Sequence, residues 1–524
     1  MSTSELRANL IHRVNVGDSL TRTAARYPAG IAVVDGARRL TYAELNGWVN
    51  RVANALTGRG YARGDALALA SGNSVEFLVT YYACAKLGVV CVPVNLGWRA
   101  DEVAYVLDHS GARGIVVESQ LLAAVSPAVA KVPAVTDVFV APGTGSVPAG
   151  AVAFGELAGS DAEPEHLVAD RDPISYLYTS GTTSFPKGVV GNHTAIYLES
   201  MTMALEARFT EQDRFVAMMP MFHTAQLNCH CTAAVMVGAT IYVQRGFDAG
   251  RLLALVESER ITQIFGLPMM YRQLLDHPDI ARTDLSSLRR ALYAMAPMPQ
   301  AQLERCLEVF GCDFYLLFGQ TEMSPTATIF RPEHQLSHNG AVGTPVANVA
   351  VGIMSEAGEL LPGGETGEIV YRGPHTMTEY LHDPAATEAA FRHGWFHSGD
   401  IGHFDSDGIL WFSDRGKDVI KTGGENVASI EVEKAVYAAS PDVAEAVVVG
   451  LPHDHWSEAI TAVVVPRAGA SVDPAALIES VKKLIDSYKA PKSVIIADEL
   501  PKTSTGKIQK NVLRERYAGH YRAE

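Results

Sequence analysis

The chain has 524 residues, 48% hydrophobic and 19% charged, which is enough to bury large cores and more than one core usually organises, so at least two domains are expected. A formal net charge of −15 with no Lys/Arg-rich run argues against sequence-independent binding to nucleic acid or an anionic membrane surface, and favours a small-molecule enzyme. No stretch approaches the roughly 18–20 apolar residues of a membrane span, and Met1–Leu20 lacks the basic and apolar regions of a leader, so a cytoplasmic address without a membrane anchor is expected.

Along the chain, Ile31–Val34 reads as a strand, Thr41 with Glu44 as a capping box opening a helix, Ala66–Ala70 as a strand, Asn73–Lys86 as a helix and Val89–Val92 as a strand. This is α/β wiring. After a loose Ala/Pro/Gly-rich region near Ala141–Ala151, short apolar runs at Ile174–Tyr178, Thr240–Val243, Ile261–Phe265 and Ala291–Ala294 alternate with helical patterns, which predicts layered, largely parallel sheets. From Gly340 to Trp411 short β-prone pieces (Val349–Ile353, Glu368–Tyr371, Ile409–Phe412) are punctuated by Gly and Pro, the texture of a β subdomain. Beyond Asp414 a helix from Ile430, strands at Ala446–Val449 and Ala459–Val465 and a helix from Pro474 form a compact pattern of their own, read as a small, mobile α+β domain. Six cysteines without a disulfide-scaffold pattern imply reduced thiols, and Cys229, His230 and Cys231 read as packing residues because no second ligand pair stands at metal-site spacing.

Tyr178–Gly188 follows a predicted strand and combines small residues, hydroxyls and one lysine. Backbone N–H groups could approach a phosphate past Gly181, with hydroxyls of Thr179, Ser180, Thr182 and Thr183 and the Lys187 charge around it. It is not a Walker A loop, which places its lysine directly after a glycine. By itself the segment is equally an ordinary Ser/Thr turn.

Beside the rest of the chain, this loop resembles the phosphate signature of the adenylate-forming (AMP-binding) enzyme superfamily, in its acyl-CoA synthetase and fatty-acid–CoA ligase branch. Further motifs stand in that family's order: Pro220–Thr224, Ala294–Pro297, Phe318–Glu322, Ser398–Asp400, Asp414–Asp418, Gly423–Asn426 and Pro501–Lys507. The sequence departs from the pattern where Ser184, Ala294 with Met295, and Ser457 replace usual glycines, and Met295 is expected to narrow or reshape an acyl pocket.

The resemblance implies a division into residues 1–414 (nucleotide and acyl pocket), a hinge at 415–418 and a mobile 419–524. It implies a catalytic set of Lys507, Glu322, Thr182 and His223. Lys507 would bridge the substrate carboxylate and α-phosphate, and Glu322 would hold Mg²⁺. Thr321 would contact the α-phosphate or ribose, Asp400 the ribose diol and Arg415 the ribose or phosphates. Ala296, Pro297 and Phe318 would flank adenine, with Gly319 and Gln320 beside them. His223 reads as a gate between the ATP site and the acyl pocket, or else as a core histidine. Lys417 matches the hinge position, and Gly423 and Gly424 would approach a pantetheine tunnel once the hinge turns. Candidate pocket residues are Phe222, Leu227, Met270, Met295, Gln320 and Met323.

No acidic residue follows Phe222-His223-Thr224 before Asp248, so a buried ammonium would have no partner and an apolar acid is expected. The reaction expected is activation of a hydrophobic, fatty or aryl, carboxylic acid by ATP to an acyl-adenylate, then thioesterification with coenzyme A. One rival keeps the first step and loads a carrier protein or an amine; another is a non-catalytic nucleotide sensor. No motif of the chain sets an oligomeric state, and a homodimer is the assembly carried forward as an expectation.

Overall fold

The computed structural model describes residues 3–179, 186–295, 298–416, 418–423, 425–503 and 508–521. The expected Ser180, Gly181, Thr182, Thr183, Ala296, Pro297, Lys417, Gly424 and Lys507 lie outside the described residues. Two compact units emerge, residues 1–351 with 371–396, and residues 352–370 with 397–524.

The first unit is α/β. Its seven-stranded sheet, among the described residues, runs Val152–Ala153, Asp137–Ala141, Ala112–Glu118, Ala66–Ala70, Val90–Pro93, Pro173–Thr179, Lys187–Asn192. Ala66–Ala70 is buried throughout, as a central parallel strand covered on both faces must be. Helix starts obey local chemistry: Thr41 and Glu44 form the expected capping box, and Ser74 caps a wholly buried helix, Val75–Leu87. The nine-stranded sheet runs Thr344–Pro345, Thr326–Phe330, Asp313–Gly319, Arg290–Tyr293, Gln263–Gly266, Arg214–Ala217, Thr240–Val243, Ile31–Asp35, Arg38–Thr41. Its interior pairs are parallel and its edges antiparallel, as the largely parallel reading required.

The second unit contains residues 352–370 and 397–411 of the predicted β-rich region together with the C-terminal pattern, while residues 340–351 and 371–396 of that region belong to the first unit. A four-stranded sheet (Ala350–Met354, Gly367–Arg372, Phe396–Phe404, Leu410–Arg415) comes first in the chain. A second sheet comes next, built on the long antiparallel pair Val443–His453 and Ser457–Pro466, with Ser493–Ile496 alongside in parallel. Helices Ser429–Ala439 and Pro474–Val481 pack Val432, Val436, Leu477 and Val481 on it. Among the described residues no helix is long and apolar enough to cross a membrane.

Candidate active site

The strands Arg214–Ala217, Gln263–Gly266, Arg290–Tyr293 and Asp313–Gly319 are adjacent and parallel, so their carboxyl ends open on one edge, where α/β sheets bind ligands. That edge carries Met218–His223, Leu267–Met270, Ala294–Met295 and Gln320–Glu322. Asn73 holds the first of these turns. Its Nδ2 reaches the carbonyls of Ala217 (3.1 Å), Met219 (2.9 Å) and Gln244 (3.0 Å), and its Oδ1 accepts from Met221 N (2.8 Å). The turn presents Phe222 and His223 with ring centroids 4.6 Å apart. Burial pushes the His223 imidazole down to about 4, so the ring is neutral at neutral pH, and its Nε2 has no partner among the described residues.

At Gly266 a Cβ would lie 3.3 Å from Met270 Sδ and 3.4 Å from Met218 Cε, so two methionines close over bare backbone. Met295 has φ 75°, the left-handed conformation a glycine takes freely, and its side chain is 55% exposed, so it projects from the edge rather than into the core. Leu227 and Met323 are fully buried beneath, Leu227 in a π-helical turn, Leu227–Cys231. In that turn His230 stacks on Phe265 at 4.2 Å and faces Ala225 O at 2.9 Å, while Cys229 lies 3.6 Å from Thr326 Oγ1, the packing roles expected of this trio.

Glu322 is carried on a tight 3-10 turn, Thr321–Met323, between antiparallel strands. Only glycine fits at 319: a Cβ there would stand 2.0 Å from Pro325 O and 2.9 Å from Ala327 N. Gln320 N donates to Pro325 O (3.0 Å) and Met323 N to Gln320 O (2.8 Å). The Gln320 side-chain Nε2 is buried without a partner among the described residues. A returning strap then grips the turn: Met377 N donates to Glu322 O (2.7 Å), and Tyr380 OH donates to Glu322 Oε1 (2.8 Å).

Tyr380 also meets Lys187, whose Nζ lies 5.0 Å from the ring centroid and 3.6 Å from Asp383 Oδ2. Lys187 pairs with Thr179 across the hairpin, so the two ends of the expected phosphate loop stand side by side. Lys187, Tyr380 and Glu322 thus form one continuous chain of contacts. Tyr380, Asp383, Asn73 and Met218 were not singled out from the sequence, because none belongs to a motif with its own chemistry.

In the second unit, Asp400 is buried and paired in register with Arg415, whose Nε lies 3.2 Å from Asp400 Oδ1. Asp400 N donates to Ser398 Oγ (3.0 Å) and Gly416 N to Gly399 O (2.9 Å), which fixes the Ser398–Asp400 turn against the end of Leu410–Arg415. Asp414 accepts from both Ser429 N and Ser429 Oγ at 2.6 Å, and Asp418 pairs with Arg514 at 2.7 Å, so residues around the expected hinge are tied to helices later in the chain. Gly423 N donates to Trp456 O (2.9 Å), and Ser457, at a usual glycine position, has φ 66°.

Comparison with known proteins decides the family. Residues 20–381 match the AMP-binding enzyme family and residues 431–507 match the AMP-binding enzyme C-terminal domain. The chain belongs to the AMP-binding enzymes. This AMP-binding enzyme is 36% identical over 507 residues to a feruloyl-CoA synthase from an Amycolatopsis species, covering 96% of this chain and 99% of the relative. It is 34% identical over 508 residues to the long-chain-fatty-acid–CoA ligase FadD13 of Mycobacterium tuberculosis, covering 96% and 99%. Among solved structures, ATP-bound MatB from Rhodopseudomonas palustris superposes with a TM-score of 0.89 at 30% identity, covering 97% of this chain and 100% of that one.

Proposed function

We propose that this AMP-binding enzyme is an AMP-forming acid–thiol ligase, converting a hydrophobic carboxylic acid and ATP to an acyl-adenylate and pyrophosphate, then passing the acyl group to coenzyme A with release of AMP. The observation that carries this reading is the Lys187–Tyr380–Glu322 chain, which puts a cation and a carboxylate on either side of one phenol beside the closed ends of the Thr179–Lys187 hairpin.

The chemistry follows from what a carboxylate lacks, a leaving group. Its oxygen attacks the α-phosphorus, pyrophosphate leaves, and the mixed anhydride then carries AMP as leaving group for attack by the thiolate. Little covalent help is needed, so positioning and charge neutralisation dominate. Lys187 and the loop hydroxyls of Thr179, Ser180, Thr182 and Thr183 hold the phosphates past Gly181. Thr321 and the Asp400–Arg415 pair take the α-phosphate and ribose region, and Ala296, Pro297, Phe318 and Gly319 the adenine. Lys507 serves adenylation and Gly423 with Gly424 serves thiolate attack, with residues 415–418 as hinge between 1–414 and 419–524. The buried Glu322 carboxylate, with Oε1 oriented by Tyr380, is the hard oxygen donor that suits Mg²⁺ beside phosphate oxygens; the ion supplies charge neutralisation when bound.

Neutral His223, the Phe222 ring and the methionines at 218, 270 and 295 make an acyl environment with no charge of their own to pair an ammonium, which favours a largely apolar acid without an amino group beside its carboxylate. Relatives named for ferulate and for long-chain fatty acids agree with that class. A homodimeric assembly and a cytoplasmic setting belong to the same proposal, checked by sedimentation and by cell fractionation.

The test is a panel of free acids, from acetate through long-chain fatty acids to benzoate and cinnamate derivatives, assayed for AMP and pyrophosphate with and without coenzyme A, beside Lys507→Ala. Acyl-CoA formation that collapses at least about a hundredfold in the variant establishes the ligase. Pyrophosphate release without any CoA ester would move the acceptor to a carrier protein, and no turnover of any acid would leave a nucleotide sensor.

A further inference from the structure

We propose that Glu199 and His375, which lie outside the motif segments quoted above, are positioning residues that hold the mounting of Glu322 from both of its ends. The inference rests on Glu322 being a working carboxylate of the nucleotide site.

Glu199 lies on the helix His193–Glu206 and is fully buried. Its two carboxylate oxygens are divided between two partners: Thr326 Oγ1 donates to Oε1 at 2.7 Å, and His375 Nδ1 faces Oε2 at 3.0 Å. Both partners flank the Glu322 turn. Thr326 opens the strand Thr326–Phe330, which begins four residues after Glu322. His375, also fully buried, opens the strap. Downstream of it Thr376 Oγ1 lies 3.6 Å from Met323 Sδ, Met377 N donates to Glu322 O, and Tyr380 OH donates to Glu322 Oε1. The strap is laced to the hairpin strand as well, through Thr378 N to Val190 O (2.9 Å), Val190 N to Glu379 O (3.0 Å) and Leu381 N to Gly188 O (2.8 Å). Glu199 therefore ties together the segment that leaves the turn and the segment that returns to grip it.

A buried carboxylate is costly unless its oxygens are paired, and burial here pushes the Glu199 carboxyl up from its ordinary value. Packing of the helix against the sheet needs only apolar side chains, so a carboxylate at this depth is explained by the two groups it holds. The geometry requires Nδ1–H on His375 as donor when Glu199 is ionised. An asparagine amide can present an N–H near the same place; a leucine cannot.

The test uses the full-length protein with Glu199→Leu, His375→Leu and His375→Asn, measuring steady-state kinetics, thermal unfolding and amide hydrogen exchange across residues 376–381, with Glu322→Ala alongside. The leucine variants are expected to lose about 10–100-fold in kcat/KM for ATP while KM for the acid stays near wild type, and their strap amides exchange faster. His375→Asn is expected to recover activity to within about threefold of wild type with protected amides. Unchanged strap exchange and a kcat/KM for ATP equal to wild type in the leucine variants would overturn the proposal, as would a His375→Asn variant no better than His375→Leu. Should Glu322→Ala retain full activity, the reading of the site itself fails, while the exchange measurement still reports whether the pair holds the strap.

Discussion

Removing one oxygen, in Tyr380→Phe, isolates the bond that orients Glu322. The hydroxyl donates to Glu322 Oε1 at 2.8 Å, and the carboxylate is 9% exposed, so water replaces the donor poorly. A hydrogen bond to a charged group contributes about 1.5–3 kcal/mol, which at 1.4 kcal/mol per factor of ten corresponds to roughly 10–150-fold in whatever depends on the carboxylate's orientation. Phenylalanine keeps the ring, so the 5.0 Å contact with Lys187 Nζ survives and the loss is assigned to the hydroxyl alone. Acid-dependent pyrophosphate release at saturating carboxylic acid, titrated in ATP, should show kcat/KM for ATP falling by that factor while KM for the acid stays put. A variant that unfolds at the wild-type temperature yet keeps kcat/KM for ATP within about threefold of wild type would refute the assignment.

Stability should fall in acid, and three histidines set the window. Burial holds His193, His223 and His230 each down to about 4, against 6.5 for the free side chain. Between those values the unfolded chain binds more protons than the folded one, so stability rises with pH across that interval and is lost as pH falls through it, by up to about 3 kcal/mol per group. His193 Nδ1 accepts from Val16 N at 3.2 Å, a bond that protonation removes. Urea midpoints at pH 4.5 and 7 should therefore differ strongly, and His230→Gln should shrink the difference. Gly319→Ala should destabilise by about 1–3 kcal/mol and abolish turnover, since its methyl group would meet Pro325 O at 2.0 Å; a thermal scan and the pyrophosphate assay check both. Met295→Gly should release the left-handed strain at φ 75°, raise stability by up to about 1 kcal/mol and widen the range of acids accepted, read by thermal unfolding and by the acid panel.

Many of these features were legible in the sequence because they depend on neighbours. The Thr41–Glu44 capping box closes over three residues, strands such as Ala66–Ala70 and Thr240–Val243 declare themselves by composition, and the motif loops stand in one linear order. The departures from the family pattern could be seen as letters, but not their meaning. Met295 and Ser457 both keep a positive φ, 75° and 66°, so the backbone holds the shape of the missing glycine and the side chain adapts to it. The division expected at residues 415–418 came from the family resemblance and the compact pattern beyond Asp414; by packing, residues 352–370 and 397–414 fall in one compact unit with residues 415–524.

The sequence alone determined the α/β class, the strands that stand out as short apolar runs, such as Ala66–Ala70 and Thr240–Val243, and the linear order of the motif residues; Arg214–Ala217, Asp313–Gly319 and Thr326–Phe330 were not singled out as strands. Tertiary structure decided which side chains meet. Tyr380 reaches Glu322 across 58 positions, Glu199 reaches His375 across 176, and Asn73 reaches the Ala217 carbonyl across 144. Such pairings arise from the packing of whole sheets and helices, and no local pattern encodes them.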